Sequence, residues 1–463
     1  MKVLIAVEEG TLFIYYKSAI MAFCKRGHEV VFLVAKSLAE ETAKEIETLR
    51  KTYPKFSYAQ SYYRAGGWRQ KLQYKRVIAN YRHMIKLTSA GYVDKFYAMR
   101  LRKYFPGWLY PFVYFNFLNA NFLIKTDFVK RYLDKIEASA PPDAGIVAQL
   151  KELKPDIVIV TNGNVSSSTP DYDYIAMSAH LGIPCVQFMV SWDGLETKGY
   201  IHKIPDKMFL WNEIQKRTAV EKHGIPPDRI QLVGSPFYDA FYAYAESIKS
   251  GPKSYSPDRA AFCAKYGLDP KRPILMYMSS TPYSGDLALL QDIRKYFDES
   301  GDQRLKNVQI LARSHPAVHK FFKGVSSPPG LAVQNGEVPR TDEAVKFFYE
   351  SLHHSMGVAG ICTSGLFLAF IADKPVVTII DNRFKRIQLN SPHFRQLVEE
   401  NVMEVAEGKS GFLEIVLKLL SGADDKKGIR ADFVKKYIRP QGIPAGEALA
   451  DAAEQLVKEK KHI

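Results

Sequence analysis

Residues 356–380 read MGVAGICTSGLFLAFIADKPVVTII. An apolar run from Val358 to Ile361 meets the small polar turn Cys362-Thr363-Ser364-Gly365, and an apolar helix follows from Leu366 to Ala372. A tight Asp373-Lys374-Pro375 turn then leads into a second buried strand, Val376 to Ile380. Two buried strands joined by a helix form the repeating unit of a parallel sheet. Thr363, Ser364 and Gly365 stand where the helix is expected to begin. Unpaired backbone N–H groups and the positive end of the helix dipole suit a phosphate there. An ordinary capped helix has the same sequence, so the other segments decide.

Upstream the same pattern recurs. Pro273 to Met278 reads as a strand ending at Ser279-Ser280-Thr281, and Val308 to Ala312 as another ending at Arg313-Ser314-His315-Pro316. Helices are expected over Asp286 to Phe297 and Thr341 to Leu352, and a short strand over Leu331 to Gln334. Before the Ser/Pro/Lys/Gly-rich stretch ESIKSGPKSYSPD (Glu246 to Asp258), which reads as a linker, a first set of such units runs from the N-terminus. Its strands are Lys2 to Val7, Glu29 to Ala35, Ile157 to Val160, Cys185 to Val190, Lys207 to Trp211 and Ile230 to Val233. The opening segment Met1 to Val7 closes at Glu8-Glu9-Gly10, too short for a signal peptide, and reads as a strand. The expected fold class is therefore α/β, with two Rossmann-like domains facing a cleft. The first covers residues 1–245, the second 246–440, and a C-terminal helix 441–463; a chain of 463 residues is long enough for two cores.

A helical aromatic and basic insertion, about residues 61–136, interrupts the first domain; it is too long for a connection within a compact Rossmann half. Ser61 to Lys103 holds eleven Lys and Arg against the single acid Asp94, a net +10 of the whole chain's +15. Interleaved with Tyr62, Tyr63, Trp68, Tyr74 and other aromatics, this segment is expected to meet something anionic. Tyr104 to Ile124 then runs for 21 residues without a charge and with nine aromatics. Pro106, Gly107 and Pro111 break it as a helix, and three asparagines oppose burial in hydrocarbon. The expectation is a surface for an anionic membrane through residues 61–124, or an acceptor groove; a core stripe is the plain alternative. Four scattered cysteines without CxxC spacing point to a reducing compartment and no structural metal.

Five motifs in this order, RGHEVVFLVA (26–35), KPDIVIV (154–160), GSPFYD (234–239), RSHP (313–316) and TSGLFLAFIADKPVV (363–377), resemble the GT-B glycosyltransferases. The likeness is strongest to the wider group with nucleotide-sugar 2-epimerases, CDP-glycerol glycerophosphotransferases and related surface-polysaccharide enzymes. It spans both domains but not the insertion. The resemblance implies a nucleotide-activated donor held by the C-terminal domain. His315 and Thr363, Ser364 and Gly365 would face its phosphates, with Ser235 at a hinge, Arg313 on phosphate and Glu337 near base or ribose. The acid that the family usually places early in the helix after Ser-Gly is missing, since Phe367, Leu368 and Ala369 stand there.

An acceptor hydroxyl needs a base. Glu8, Glu9 and Asp193 follow strands, and Glu9 and Asp193 are the preferred pair; His393 is a further candidate. Asp171-Tyr172-Asp173 matches a metal-binding DxD, yet at a helix start it reads as complementing the dipole. The expected activity is transfer of a sugar from a nucleotide-sugar donor to a lipid-linked or polysaccharide acceptor, with neither metal nor other cofactor. The expected location is cytoplasmic, peripheral to the inner face of the membrane. Alternatives are a glycerophosphate-type transferase using CDP-glycerol, a 2-epimerase, and a nucleic-acid-binding protein prompted by the basic segment. No nucleic-acid-binding module is visible, so no nucleic acid is expected as partner.

Overall fold

The structure is a computed structural model. It describes residues 1–116, 120–161, 169–250, 258–280, 285–315, 322, 328–334 and 341–461. The chain forms two compact units, the first made of Met1–Asp239 with Tyr437–Ile463 and the second of Ala240–Lys436.

Unit 1 carries seven parallel strands: β1 (Lys2–Val7), β2 (Glu29–Val34), β3 (Phe56–Gln60), β4 (Ile157–Thr161), β5 (Cys185–Phe188), β6 (Lys207–Leu210) and β7 (Ile230–Leu232). Their order is β3-β2-β1-β4-β5-β6-β7. Val3 pairs with Val30 on one side and Ile157 on the other. Every residue from Val3 to Val7 is buried, as continuous Val/Ile/Leu runs require in a sheet covered on both faces. The helices that matter here are α1 (Lys17–Lys25), α2 (Gly67–Ser89), α3 (Tyr110–Tyr114), α4 (Ala120–Lys125), α5 (Asp127–Ala138) and α6 (Asp171–Leu181).

Helices α2 to α5 lie between β3 and β4 and enclose an apolar centre of their own, including Val77, Tyr81, Met84, Leu101, Phe105 and Val113. A polar clasp holds α2 to the sheet. Asn80 Oδ1 accepts from the Tyr200 N–H at 2.7 Å, and the approach is so close that a Cβ on Gly199 (φ +109°) would lie 2.4 Å from that oxygen.

The basic segment differs from expectation. Arg64, Lys75, Arg76 and Arg82 are buried. Arg64 and Arg76 donate to Asp173 at 2.9 and 3.1 Å, and Arg76 and Lys75 to Glu137 at 2.7 and 3.0 Å. Arg82 pairs with Asp127 at 3.0 Å. Four of the cations counted as surface charge are thus buried in ion pairs: Lys75, Arg76 and Arg82 join α2 to α5 within the insertion, and Arg64 and Arg76 tie it to α6 through Asp173. An ion is buried only with a partner, and these partners, Asp127, Glu137 and Asp173, lie downstream of Lys103, where a local charge count does not see them.

Unit 2 has six parallel strands: β8 (Ile274–Met278), β9 (Gln309–Arg313), β10 (Leu331–Gln334), β11 (Gly357–Gly360), β12 (Val376–Ile380) and β13 (Glu404–Glu407), in the order β10-β9-β8-β11-β12-β13. Val358 pairs with Met276 and with Val376. Helix α7 (Asp286–Asp298) follows β8, and the six-residue α8 (Leu366–Ile371) joins β11 to β12.

The stretch expected as a linker begins inside a helix, Asp239–Ser250, because Ala240 to Glu246 supplies good helix formers and aromatics; residues 251–257 fall outside the described ones. The C-terminal helix α9 (Ala445–Lys461) belongs to unit 1 and packs on α1. Asp239 ties the two ends of that unit together. Its carboxylate accepts from the Ala445 and Gly446 N–H groups at 3.0 and 2.8 Å and from the Ser18 hydroxyl at 2.6 Å, satisfying donors that a helix start leaves open.

Candidate functional site

Each sheet reverses its strand order once, unit 1 between β1 and β4 and unit 2 between β8 and β11. In open α/β sheets ligands bind outside the carboxyl ends of the strands at such a reversal. The strand exits there define the candidate site.

In unit 2, Ser279 and Ser280 leave β8. Ser279 Oγ accepts from the His315 N–H at 2.5 Å, and Ser280 Oγ accepts from the Cys362 N–H at 3.1 Å. Two hydroxyls therefore pin the exits of β9 and β11 to the exit of β8, bringing His315 and the Thr363-Ser364-Gly365 turn to one end of the sheet. Asp286 accepts from the Ser280 N–H and from the Tyr277 hydroxyl. Burial pushes its carboxyl up to about 7 although both hydrogen bonds oppose the rise. A carboxyl raised by folding stays protonated in the native state after the unfolded chain has released its proton. Stability from this group is full below about pH 4 and is lost as pH rises to about 7. Asp286→Asn is expected to remove that fall from a plot of Tm against pH.

Burial lowers the pKa of His315, which favours the neutral imidazole. Helix α8 starts at Leu366, directly after the Cys362-Thr363-Ser364-Gly365 turn, as the sequence predicts. The N–H groups of Leu366, Phe367 and Leu368 bond the carbonyls of Thr363, Ser364 and Gly365 at 3.1, 3.2 and 3.0 Å, and the Gly365 N–H bonds Thr363 Oγ1 at 3.3 Å. The donors of its first turn are thus engaged, and Ser364 is exposed at the strand exit. The Arg313 guanidinium lies 4.3 Å from the centre of the Phe348 ring, a stacking role. Glu337 falls outside the described residues.

In unit 1 the β1 exit carries Glu8 and Glu9, which differ sharply. Glu8 is 4% exposed, lies 3.2 Å from Lys36 Nζ, and accepts from the Tyr63 hydroxyl at 3.3 Å. Glu9 is half exposed and pairs with Lys36 at 3.0 Å. Across the reversal, the Thr161 hydroxyl at the end of β4 donates to Asp171 at 2.6 Å. Burial pushes the Asp171 carboxyl up to about 6, with the Glu8 charge adding to the rise and the threonine hydroxyls opposing it. Asp171 and Asp173 do sit in the first turn of α6, but neither side chain caps it. One is held by Thr161 and the other by Arg64 and Arg76.

Asp193 follows β5, and its carboxylate accepts from the Thr197 hydroxyl at 2.6 Å. Arg100 of the insertion donates to the Thr197 carbonyl, and the Asp193 charge acts on it. Ser235 is buried beneath the returning chain, its N–H 3.3 Å from the Ile438 carbonyl, within unit 1 and away from the strand reversal. His393 is half-buried near the start of the helix Pro392–Glu399. Asp286, Ser279, Ser280 and Arg100 carry no site role in the sequence, and Asp171 reads there only as an acid at a helix start. The two serines were visible as polar residues directly after a buried strand, whereas the carboxyls become distinctive only through burial.

Two Rossmann-like units of wholly parallel strands, of seven and six strands, define the GT-B fold class. No protein-family model matches the sequence, and no curated protein matches it. Solved structures do. The UDP-GlcNAc 2-epimerase from Neisseria meningitidis bound to UDP-GlcNAc is similar at TM-score 0.55 and 12% identity, covering 98% of this chain and 100% of that one. The UDP-GlcNAc 2-epimerase from Methanocaldococcus jannaschii gives 0.54 and 13%, with the same coverage of 98% and 100%. The calicheamicin glycosyltransferase CalG4 gives 0.50 and 11%, covering 99% and 98%. At these identities the likeness is one of fold.

Proposed function

We propose that the chain is a GT-B nucleotide-sugar enzyme, a glycosyltransferase acting on a hydroxyl of a membrane-associated or polysaccharide acceptor. The observation that carries this reading is the convergence of Ser279, Ser280, His315 and the Thr363-Ser364 turn at the strand reversal of unit 2. The His315 imidazole and the exposed Ser364 hydroxyl, positioned by the buried Ser279 and Ser280, suit a diphosphate and, in the reaction, the charge that grows on the departing nucleotide. Unit 1 supplies the base. Glu8 fits this role better than its neighbour Glu9, because it is buried beside Tyr63 and Lys36, where its position is fixed. Asp193 remains the second carboxylate.

The test is a thermal-shift panel of UDP, GDP, CDP, CMP and their sugar conjugates. One base is expected to raise Tm, since a ligand bound only by the native state stabilises it. Ser364→Trp is expected to abolish that shift with the ligand-free Tm little changed. An unchanged shift in this variant would overturn the phosphate assignment. The epimerase reading draws on the two epimerases of similar fold. It is separated by incubating the protein with UDP-GlcNAc alone, where release of the C2 epimer without any acceptor would displace the transferase. A shift by CDP-glycerol would select the glycerophosphate reading.

A further inference from the structure

Fourteen large apolar side chains are exposed among the described residues, and eight of them fall between residues 108 and 132. They lie on or directly beside three consecutive helices, Trp108 and Phe115 flanking α3, with α3 packing on α4 and α4 on α5. Each helix has an inner and an outer face. Val113, Ala120 and Leu133 are buried, while Trp108 (71% exposed), Phe115 (74%), Phe122 (67%) and Phe128 (72%) are left to solvent. Tyr132 stands four residues after Phe128, on the same face of α5. Tyr114 stacks on Tyr110 at 5.2 Å and meets Phe115 edge-on at 5.0 Å, so the outer rings form a connected surface and not isolated residues.

The charges around this surface that lack an oppositely charged partner are cations. Arg102 lies over the Tyr114 ring at 5.5 Å, Lys103 over Tyr104 at 5.0 Å, Lys125 ends α4, and Arg131 lies within α5. None of these four cations has an acidic partner among the described residues. The nearby acids are taken, Asp127 by Arg82 and Asp134 by Lys130. No helix of the described residues is long and apolar enough to cross a membrane.

We propose that α3, α4 and α5 dock the protein on the surface of a bilayer containing anionic lipids. Trp108, Phe115, Phe122 and Phe128 enter the headgroup region and the cations pair with lipid phosphates. Aromatic rings with a basic rim are the composition of an interfacial anchor, and each Lys or Arg near an anionic surface adds to binding. A second copy of the chain fits this surface less well, because a two-fold contact would bring the same uncompensated cations together. On the proposed function the membrane is where the acceptor is met, but docking itself does not depend on that function.

The experiment is vesicle sedimentation of the full chain with phosphatidylglycerol-containing and pure phosphatidylcholine vesicles, alongside sedimentation velocity without lipid. The protein is expected to bind the anionic vesicles, to leave them as salt rises, and to be unaffected in its nucleotide-induced Tm shift by changes at this surface. Trp108→Ser with Phe115→Ser should weaken vesicle binding about tenfold or more. Lys103→Glu with Arg131→Glu should do so for anionic vesicles only. Both double variants change exposed positions, so circular dichroism should show an intact fold. No binding by the parent chain, equal binding by the Trp108/Phe115 variant, or a lipid-free dimer that this variant dissolves would each overturn the proposal, the last in favour of self-association. A lost nucleotide shift with vesicle binding retained would overturn the proposed function alone.

Discussion

Glu8→Gln is expected to lower kcat by about 10²–10⁴-fold, the range that a positioned general base contributes. The nucleotide-induced rise in Tm should be unchanged. The two effects separate because Glu8 leaves β1 of unit 1, whereas the proposed phosphate contacts leave β8, β9 and β11 of unit 2. Gln keeps the size of the side chain and an oxygen able to accept from Tyr63, which donates to Glu8 at 3.3 Å, so packing survives; the basic oxygen and the charge facing Lys36 are lost, and Lys36 keeps Glu9. Glu9→Gln is the control. Its side chain is half exposed and paired with Lys36, and it should cost no more than a few tenths of a kcal/mol in stability with little effect on turnover. Single-turnover rates of both variants with a saturating donor check this. Near-parental turnover in Glu8→Gln with a large loss in Asp193→Asn would move the base to the β5 exit.

The strands of the two sheets were legible wherever they are covered on both faces. Such strands are uninterrupted apolar runs, as in Lys2–Val7 or Val376–Ile380. The strands that escaped the sequence, β3 and β13, lie at sheet edges. Phe56–Gln60 is exposed at four of its five positions and Glu404–Glu407 is acid at both ends, so neither carries the apolar signal. At the site, the turns after β8, β9 and β11 were readable as polar residues following buried runs. What the sequence could not show was which groups are paired. The +10 segment looked like a surface because its partners, Glu137 and Asp173, lie far along the chain. For the same reason Asp171 and Asp173 looked like ornaments of a helix start. Glu8 and Glu9 were indistinguishable as neighbours, and only burial separates them.

Asp173→Ala tests the pairing that the sequence concealed. One carboxylate oxygen accepts from Arg64 Nε at 2.9 Å and from Arg76 Nη2 at 3.1 Å, and all three side chains are buried. Removing it leaves two guanidinium groups short of a counter-charge away from water. Arg64 keeps the Pro141 carbonyl at 2.7 Å and Arg76 keeps Glu137, so the loss is partial for each. Breaking a buried pair by deleting one partner costs about 3–5 kcal/mol. Because Arg64 and Arg76 belong to the segment leading into and through α2, the damage should concentrate where the insertion meets the sheet. The expected result is a fall in the urea midpoint together with faster proteolytic cleavage within residues 61–136 than within unit 2. Asp173→Asn should lose less, since its amide oxygen can still accept from one arginine. If Asp173→Ala melted like the parent chain, the buried cations would be held by something other than this carboxylate, and the account of the insertion as clasped by ion pairs would fail.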